Sequence, residues 1–158
     1  MTTIVRPANV ADVPEILRMI RALAVYEREP DAVKATPESL AEMLFGGTPN
    51  VFAHVAEVDG RAAGLAVWFL NFSTWTGRHG IYLEDLFVDP EVRRAGVAGA
   101  LFRALAAEAK VRGCARIDWA VLDWNEDAKR FYRSIGGHHS TGWEPWRIDG
   151  AALTALQG

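Results

Sequence analysis

The sequence predicts an α/β (α+β) fold, with a mixed central sheet of about six to seven strands flanked by about four helices. Stretches with apolar residues at helical spacing alternate along the chain with stretches of strand spacing. The dipeptide Asp59-Gly60, placed between two apolar runs, is typical of a tight β-hairpin. A length of 158 residues suits one domain that buries about 70% of its unfolded surface. We therefore expect a single domain over residues 1–158.

The first third of the chain predicts one strand and two helices. IVRPA indicates a short strand, and ADVPEILRMIRALAVYE indicates a helix. One face of this helix is apolar and consists of Val13, Ile16, Leu17, Ile20 and Leu23. Thr36 and Pro37 are typical of an N-cap and a first helical residue, so a second helix should run to about Phe45, where GGTPN ends it.

After the second helix, the spacing of the apolar residues changes from that of a helix to that of strands. VFAHVAEV and RAAGLAVWFLN form the two strands of the hairpin, and IYLEDLFV continues the sheet. A helix should begin near Gly96 and stop at Gly113; ARIDWAVL indicates another strand and NEDAKRFYRSI another helix, which ends at Gly136. The predicted order is βααβββαβα, with up to two short strands beyond.

Composition excludes several classes of function. A net charge of -3 gives no field that would gather nucleic acid. The start MTTIVRPA lacks a cationic region followed by an apolar segment, and no run of about 18 apolar residues occurs, so we expect a soluble cytoplasmic protein without a membrane partner. The single cysteine, Cys114, is more typical of core packing than of chemistry. The histidines lack spaced partner ligands, and we predict no metal site.

The segment RRAGVAG, residues 93–99, is here named the Arg-Gly loop. Glycine inside a helix costs about 1 kcal/mol relative to alanine, so two glycines at a helix start suggest that a ligand approaches the backbone there. Unpaired first-turn amides and the helix dipole favour an anion. The fingerprints of nucleoside triphosphate and dinucleotide loops are absent. A closely packed helix start with two solvated arginines is equally consistent with this spacing.

Several segments resemble one family. The pattern Arg-x-x-Gly-x-Ala at residues 93–98 resembles the acetyl-CoA pyrophosphate loop of the GNAT N-acetyltransferases, whose fold has this order of elements. RPA, ALAVYE, STWTG, YLEDLFV and LDWNEDAKRFY look like the diamine acetyltransferases, which include the spermidine/spermine and thialysine enzymes. The resemblance covers nearly the whole chain and implies the GNAT fold, acetyl-CoA as acetyl donor and a homodimer.

The resemblance also implies the site residues. Those expected to contact the coenzyme are Leu86, Phe87, Val88, Arg93, Arg94, Ala95, Gly96, Val97, Ala98, Gly99, Asn125, Ala128 and Tyr132. Those expected near the amine substrate are Tyr26, Glu27, Glu84, Asp85 and Trp75. Trp143 is a further candidate wall of the amine pocket, although core packing explains both tryptophans equally well. A solvated helix end also explains Tyr26 and Glu27.

Acetylation of an amine needs a general base, and Glu84 is the candidate. A free alkyl amine is less than about one part in a thousand neutral at pH 7, and only the neutral form attacks a thioester. Glu84 lies in an otherwise apolar strand, where burial would raise its pKa to a useful value, and it would act directly or through a water. Asp85 is expected on the opposite face. Without the resemblance, a satisfied strand-end carboxylate is the better interpretation of Glu84.

Coenzyme A leaves as a thiolate, which needs a proton donor. The resemblance implies that Tyr132 is this general acid and that Asn125 contacts the coenzyme. Periodicity alone favours a core tyrosine, since Tyr132 follows Ala128 by one helical turn. Asn125 also suits a helix N-cap without any ligand.

The sequence therefore predicts an enzyme that transfers acetyl from acetyl-CoA directly to the primary amine of a small molecule, without a metal. The alternatives are an idle acyl-CoA-binding sensor and an acetyltransferase for protein N-termini or lysines. Ser73 and Thr141 stand where the polyamine-acetylating relatives carry Asp and Glu, so we expect a short amine, such as thialysine, to be preferred to spermine.

Overall fold

A computed structural model describes the whole chain, Met1–Gly158. The chain divides into two compact units, Met1–Asp123 and Trp124–Gly158. The first unit contains the sheet and three helices, and the second contains two helices. The expectation of one domain over the whole chain stays a prediction.

The strands, all in the first unit, are β1 (Thr3–Pro7), β2 (Val51–Val58), β3 (Arg61–Ser73), β4 (Arg78–Val88) and β5 (Ile117–Trp119). The helices of that unit are α1 (Val13–Tyr26), α2 (Pro37–Phe45) and α3 (Val97–Arg112). The second unit has α4 (Glu126–Ser134) and α5 (Gly150–Leu156). A short 3-10 turn, Pro90–Val92, joins β4 to the Arg-Gly loop.

The sheet is mixed, as predicted. Its strands lie in the order β1-β2-β3-β4-β5. The first four pair antiparallel, whereas β5 runs parallel to β4. The β2–β3 turn has positive φ at Asp59 (50°) and Gly60 (81°), which confirms the predicted hairpin.

Local signals set the helix ends. Thr36 caps α2 through a reciprocal pair of hydrogen bonds with Ser39. Gly113, at φ 68°, ends α3 in the left-handed conformation expected of a C-terminal glycine. None of the helices combines the length and the apolar character that crossing a membrane requires.

Two layers of side chains form the core of the first unit. On one face of the sheet, α1 and α2 bury Ile16, Met19 and Leu44 against Val55, Leu65, Val67 and Phe87. On the other face α3 buries Val97, Leu101 and Leu105. The apolar face predicted for α1 is therefore the one that packs on the sheet.

Gly64 in β3 allows α3 to lie close to the sheet. A Cβ atom at this position would stand 2.9 Å from Val97 Cγ1, 3.0 Å from Ala56 Cβ and 3.3 Å from Leu101 Cδ1. Real Cβ atoms rarely approach a neighbour so closely, so any side chain here would displace the first turn of α3.

The prediction of six to seven strands and four helices is wrong in number: the structure has five strands and five helices. The strand predicted over residues 115–122 covers only Ile117–Trp119, the three residues that pair with Ile81 to Leu83 of β4. No strand follows α4; the C-terminal segment forms α5 instead. A strand needs a partner edge, which a local pattern does not supply.

Candidate functional site

The Arg-Gly loop has the backbone of an anion site. Arg94 (φ 69°) and Gly96 (φ 78°) are both left-handed. The N–H groups of Val97, Ala98 and Gly99 donate to no backbone carbonyl; the first such bond of α3 is made by Ala100, to the Gly96 carbonyl at 3.0 Å. Three unpaired donors at the positive end of a helix dipole favour a bound anion.

Packing does not explain the two glycines of the loop. A Cβ atom at Gly96 would meet nothing within 4 Å, and one at Gly99 would meet only Arg103 Nη1, at 3.4 Å. Gly96 is therefore needed for its positive φ and not for lack of space. The open surface at both positions favours the anion interpretation over a closely packed helix start.

Neither arginine of the loop is neutralised. Arg93 and Arg94 are exposed, and no carboxylate lies within 4.0 Å of either guanidinium. Two uncompensated positive charges thus adjoin the three unpaired N–H groups. This combination suits the two negative charges of a pyrophosphate.

Helix α1 braces the segment that leads into the loop. Arg18 donates two hydrogen bonds to the buried Asp89, each 3.0 Å long, at the end of β4. Four residues later, the Arg93 guanidinium lies over the Tyr26 ring, 5.0 Å from its centroid. Arg18 and Asp89 were not predicted as part of the site, because nothing in the sequence signals a pairing between residues so distant in the chain.

Strand β4 has an open edge beside the loop. β5 pairs with β4 only from Ile81 to Leu83, so no strand lies against residues 84–88 on that side. A bulge starts the open stretch, because Val67 pairs with Asp85 but Trp68 pairs with Leu83, which leaves Glu84 without a partner. Leu86, Phe87 and Val88, predicted to contact the pantetheine arm, lie on this open stretch.

Three carboxylates are brought together where α1 ends and β4 bulges. They are Glu27, Glu84 and Asp85, here named the carboxylate cluster. Burial raises the pKa of Asp85 to about 6, and the charges of Glu84 and Glu27 add to the effect. Burial also raises the pKa of Glu27. None of the three forms an ion pair, so the cluster has no cation of its own.

The sequence predicted a buried Glu84, but the more buried residue is the next one, Asp85. Glu84 is exposed, whereas Asp85 is half-buried. The bulge is the cause, since an extra residue in one strand shifts the alternation of the side chains that follow it. Asp85 is thereby placed beside Glu27 and Glu84, although the strand pattern predicted that it faces away from Glu84.

Tyr82, two residues before Glu84, was not predicted as part of the site. Burial raises the pKa of the Tyr82 phenol, and the charges of Glu84 and Asp118 add to it. The phenol therefore stays protonated at neutral pH and can donate a hydrogen bond beside the cluster. The available signal was its place in the same segment, YLEDLFV, two residues before Glu84.

The predicted residues after position 123 lie in the second unit. Asn125 caps α4, its Oδ1 accepting from the Ala128 N–H at 3.2 Å, so the expected N-cap is confirmed. Tyr132 is half-buried, with its ring centroid 5.7 Å from that of Phe131. The roles of Asn125, Ala128 and Tyr132 toward the coenzyme stay predictions.

Trp75 lies in the loop between β3 and β4 and is 86% exposed. Core packing, one of its two expected roles, is therefore wrong for this residue. Ser73 shapes the same loop, since its hydroxyl accepts from the Thr76 N–H at 3.3 Å. The position of Trp75 leaves its expected contact with an amine as a prediction.

The sequence pattern of the acetyltransferase (GNAT) family matches residues 16–136, which include both the carboxylate cluster and the Arg-Gly loop. The chain belongs to the GNAT acetyltransferase family. It is therefore an N-acetyltransferase, and the residue roles expected from the resemblance stay predictions.

Relatives of this GNAT acetyltransferase are similar over its full length. Thialysine N-epsilon-acetyltransferase of Sus scrofa is 37% identical, with 99% of this chain and 98% of that protein covered. Spermidine/spermine N(1)-acetyltransferase-like protein 1 of Homo sapiens is 29% identical over 91% of this chain, but only 22% of that protein is covered. An integron cassette protein from the mobile metagenome of V. cholerae has a similar structure, with a TM-score of 0.82 at 25% identity, over 99% of this chain and 98% of that one.

Proposed function

We propose that this enzyme transfers the acetyl group of acetyl-CoA directly to the primary amine of a small amino acid or diamine, within a ternary complex. One observation carries the proposal: an anion-binding loop and a carboxylate cluster without a counter-ion lie at the same bulged end of β4. An anionic coenzyme and a cationic amine are the pair of ligands that these two charge patterns fit.

The donor side rests on the backbone. The N–H groups of Val97, Ala98 and Gly99 would receive the pyrophosphate of acetyl-CoA, with the charges of Arg93 and Arg94 beside them. The free edge at residues 86–88 would pair with the pantetheine arm, whose amide groups can hydrogen-bond like a short strand. Acetyl-CoA supplies the activated acyl group, and the chain supplies its orientation.

The acceptor side rests on side chains. An amine enters as an ammonium ion, which the carboxylate cluster attracts, and one carboxylate removes its proton. Asp85 suits this step, because a base with a pKa of about 6 stays ionised at pH 7 and still holds a proton better than an ordinary aspartate. Glu84, the base expected from the sequence, would then tune Asp85 by its charge.

The transfer forms a bond between the amine nitrogen and the acetyl carbon and breaks the bond between that carbon and sulfur. The cluster takes one proton from the ammonium ion before the attack, solvent takes the second N–H proton after it, and the Tyr132 hydroxyl gives a proton to the departing sulfur. Solvent then returns a proton to Tyr132 and takes one from the cluster. No covalent acetyl-enzyme is needed.

The acceptor is proposed to be a lysine-like amino acid such as thialysine. Relatives named for thialysine acetylation, at 34–37% identity, support this choice. Ser73 and Thr141, in place of the two acidic residues of polyamine-acetylating relatives, support it further.

Thiol release from acetyl-CoA, measured with thialysine, putrescine, spermidine and spermine, tests both donor and acceptor. We expect kcat/KM to be highest for thialysine, with at least tenfold discrimination against spermine, about 1.4 kcal/mol. Spermine as the best substrate by tenfold would overturn the acceptor assignment. If thiol is released with a peptide N-terminus or a peptide lysine but with none of these amines, the enzyme is a protein acetyltransferase.

We propose further that the enzyme is a homodimer. The second unit exposes apolar side chains, among them Trp146, which is 90% exposed. A surface tryptophan of this size is typical of a protein interface. Sedimentation should give about twice the chain mass, and Trp146→Glu should shift it toward the monomer; a monomeric wild type would contradict the proposal.

A further inference from the structure

The contact between Tyr26 and Arg93 has a functional meaning that differs from the role expected for Tyr26. We propose that Tyr26 is a positioning residue for acetyl-CoA, which acts by holding Arg93 at the entrance of the Arg-Gly loop, and not a contact for the amine. The inference rests on the proposed function, in which that loop binds the pyrophosphate.

The geometry is that of a cation–π pair. The guanidinium carbon of Arg93 lies 5.0 Å from the centroid of the Tyr26 ring, within the range of about 6 Å for such pairs. Arg93 has no carboxylate partner, so the aromatic ring is what orients its charge. An arginine held in this way keeps its N–H donors available for a phosphate oxygen.

Tyr26 stands on a fixed platform. It is the last residue of α1, and the turn that follows is closed by hydrogen bonds from Glu27 N to Leu23 O (2.8 Å), Arg28 N to Val25 O (3.1 Å) and Glu29 N to Ala24 O (2.9 Å). Arg28 adopts φ 65° without being glycine, a conformation that persists only when its surroundings enforce it. The backbone that carries the ring beneath Arg93 is therefore held in place.

The contact is the second of two that bind α1 to this segment. Arg18 holds Asp89 just before the Pro90–Val92 turn, and Tyr26 holds Arg93 just after it. The two α1 residues are eight positions apart, or about 12 Å along the helix. Both ends of the turn that delivers the loop are thus tied to one rigid element.

A consequence follows for kinetics. If Tyr26 acts through Arg93, its loss weakens acetyl-CoA binding and leaves the amine KM unchanged. If Tyr26 contacts the amine, its loss raises the amine KM instead. In the first case, loss of the phenol hydroxyl should leave acetyl-CoA binding unchanged, because the cation–π pair is made by the face of the ring.

The experiment measures the Kd of acetyl-CoA by calorimetry for Tyr26→Leu, Tyr26→Phe, Arg93→Met and the double variant Tyr26→Leu/Arg93→Met. Val25→Ala is the matched control, since Val25 is an exposed neighbour on the same helix end. We expect Tyr26→Leu to raise the Kd about two- to fivefold, the size of an exposed cation–π pair. Tyr26→Phe and Val25→Ala should match the wild type, and Tyr26→Leu should add nothing in the Arg93→Met background.

Three results would overturn the inference: equal effects of Tyr26→Phe and Tyr26→Leu, additive effects of Tyr26→Leu and Arg93→Met, or a rise in the amine KM alone. If Tyr26→Leu does not fold, the comparison of Tyr26→Phe with the wild type still decides whether the hydroxyl matters. Wild-type protein that binds no acetyl-CoA would instead refute the proposed function, so the two failures are distinguishable.

Discussion

The Arg-Gly loop and the carboxylate cluster lie at the same end of β4 but are built in different ways. The loop presents backbone N–H groups, which any sequence can supply once positive φ values at Arg94 and Gly96 are in place. The cluster presents side chains from two separate elements, the end of α1 and the bulge of β4. A backbone site depends on conformation, whereas a side-chain site depends on burial and charge. The two should therefore fail in different ways when mutated.

The largest effect is expected on the loop. Gly96→Glu places a carboxylate and a side chain where pyrophosphate would bind, and acetyl-CoA binding should fall below detection in calorimetry. Gly77→Glu is the matched control, because Gly77 also has a positive φ (65° against 78°) and open space around it, at the opposite end of β4 from the loop. A folded Gly96→Glu variant with wild-type affinity would refute the loop assignment.

The next largest effect is expected at Tyr132, the proposed proton donor to the leaving thiolate. Tyr132→Phe should lower kcat by about 10²–10⁴-fold if its hydroxyl protonates the leaving thiolate, with the Kd of acetyl-CoA little changed. Ser134→Ala removes a hydroxyl from the same helix, whose present role is a bond to the Phe131 carbonyl, and serves as the control. Full activity of Tyr132→Phe at pH 7 would return Tyr132 to a packing role.

A smaller effect separates the two candidate bases. If Asp85 is the base, kcat/KM should rise with pH through about 6, and Asp85→Asn should abolish this limb and lower the rate at least tenfold. Glu84→Gln should move the limb to lower pH, because removing the Glu84 charge lowers the pKa of Asp85. A shift to higher pH in Glu84→Gln would make Glu84 the base, as the sequence suggested.

The smallest effect concerns stability. Because the folded pKa of Asp85 is raised, the folded state binds this proton more tightly than the unfolded chain does, and the contribution of Asp85 to stability falls as pH rises from about 4 to about 6. Asp85→Asn should therefore raise the Tm at pH 7 by a few degrees and leave it unchanged below pH 4. Thermal unfolding of both proteins at the two pH values checks this. A Tm at pH 7 that is lower for Asp85→Asn than for the wild type would show that the Asp85 charge does not destabilise the folded state.

The conformation of the loop could be predicted from the sequence, whereas the cluster could be predicted only in part. The loop depends on neighbouring residues, and the cluster depends on two elements that are distant in the chain. The features of the loop, a glycine at positive φ and small residues at a helix start, are local. The turn at Asp59-Gly60, the cap at Thr36 and the stop at Gly113 are local as well, and all three are confirmed.

Relations between distant residues were not predictable. A bulge exists only relative to the partner strand, so the exposure of Glu84 and the burial of Asp85 could not be obtained from YLEDLFV alone. The short β5 and the absence of strands after α4 are likewise outcomes of pairing between distant segments, which a local pattern does not determine. Arg18 with Asp89, and Tyr26 with Arg93, are likewise contacts that only folding creates.

Gly64 has a further consequence for engineering. The first turn of α3, whose N–H groups are proposed to bind the pyrophosphate, lies close to the sheet because Gly64 has no side chain. A glycine in a strand interior is an obvious target for substitution by residues of higher β propensity. Here such a change would raise the amides above the sheet. With acetyl-CoA bound at this loop as proposed, a substitution selected at Gly64 for thermal stability alone would also weaken coenzyme binding.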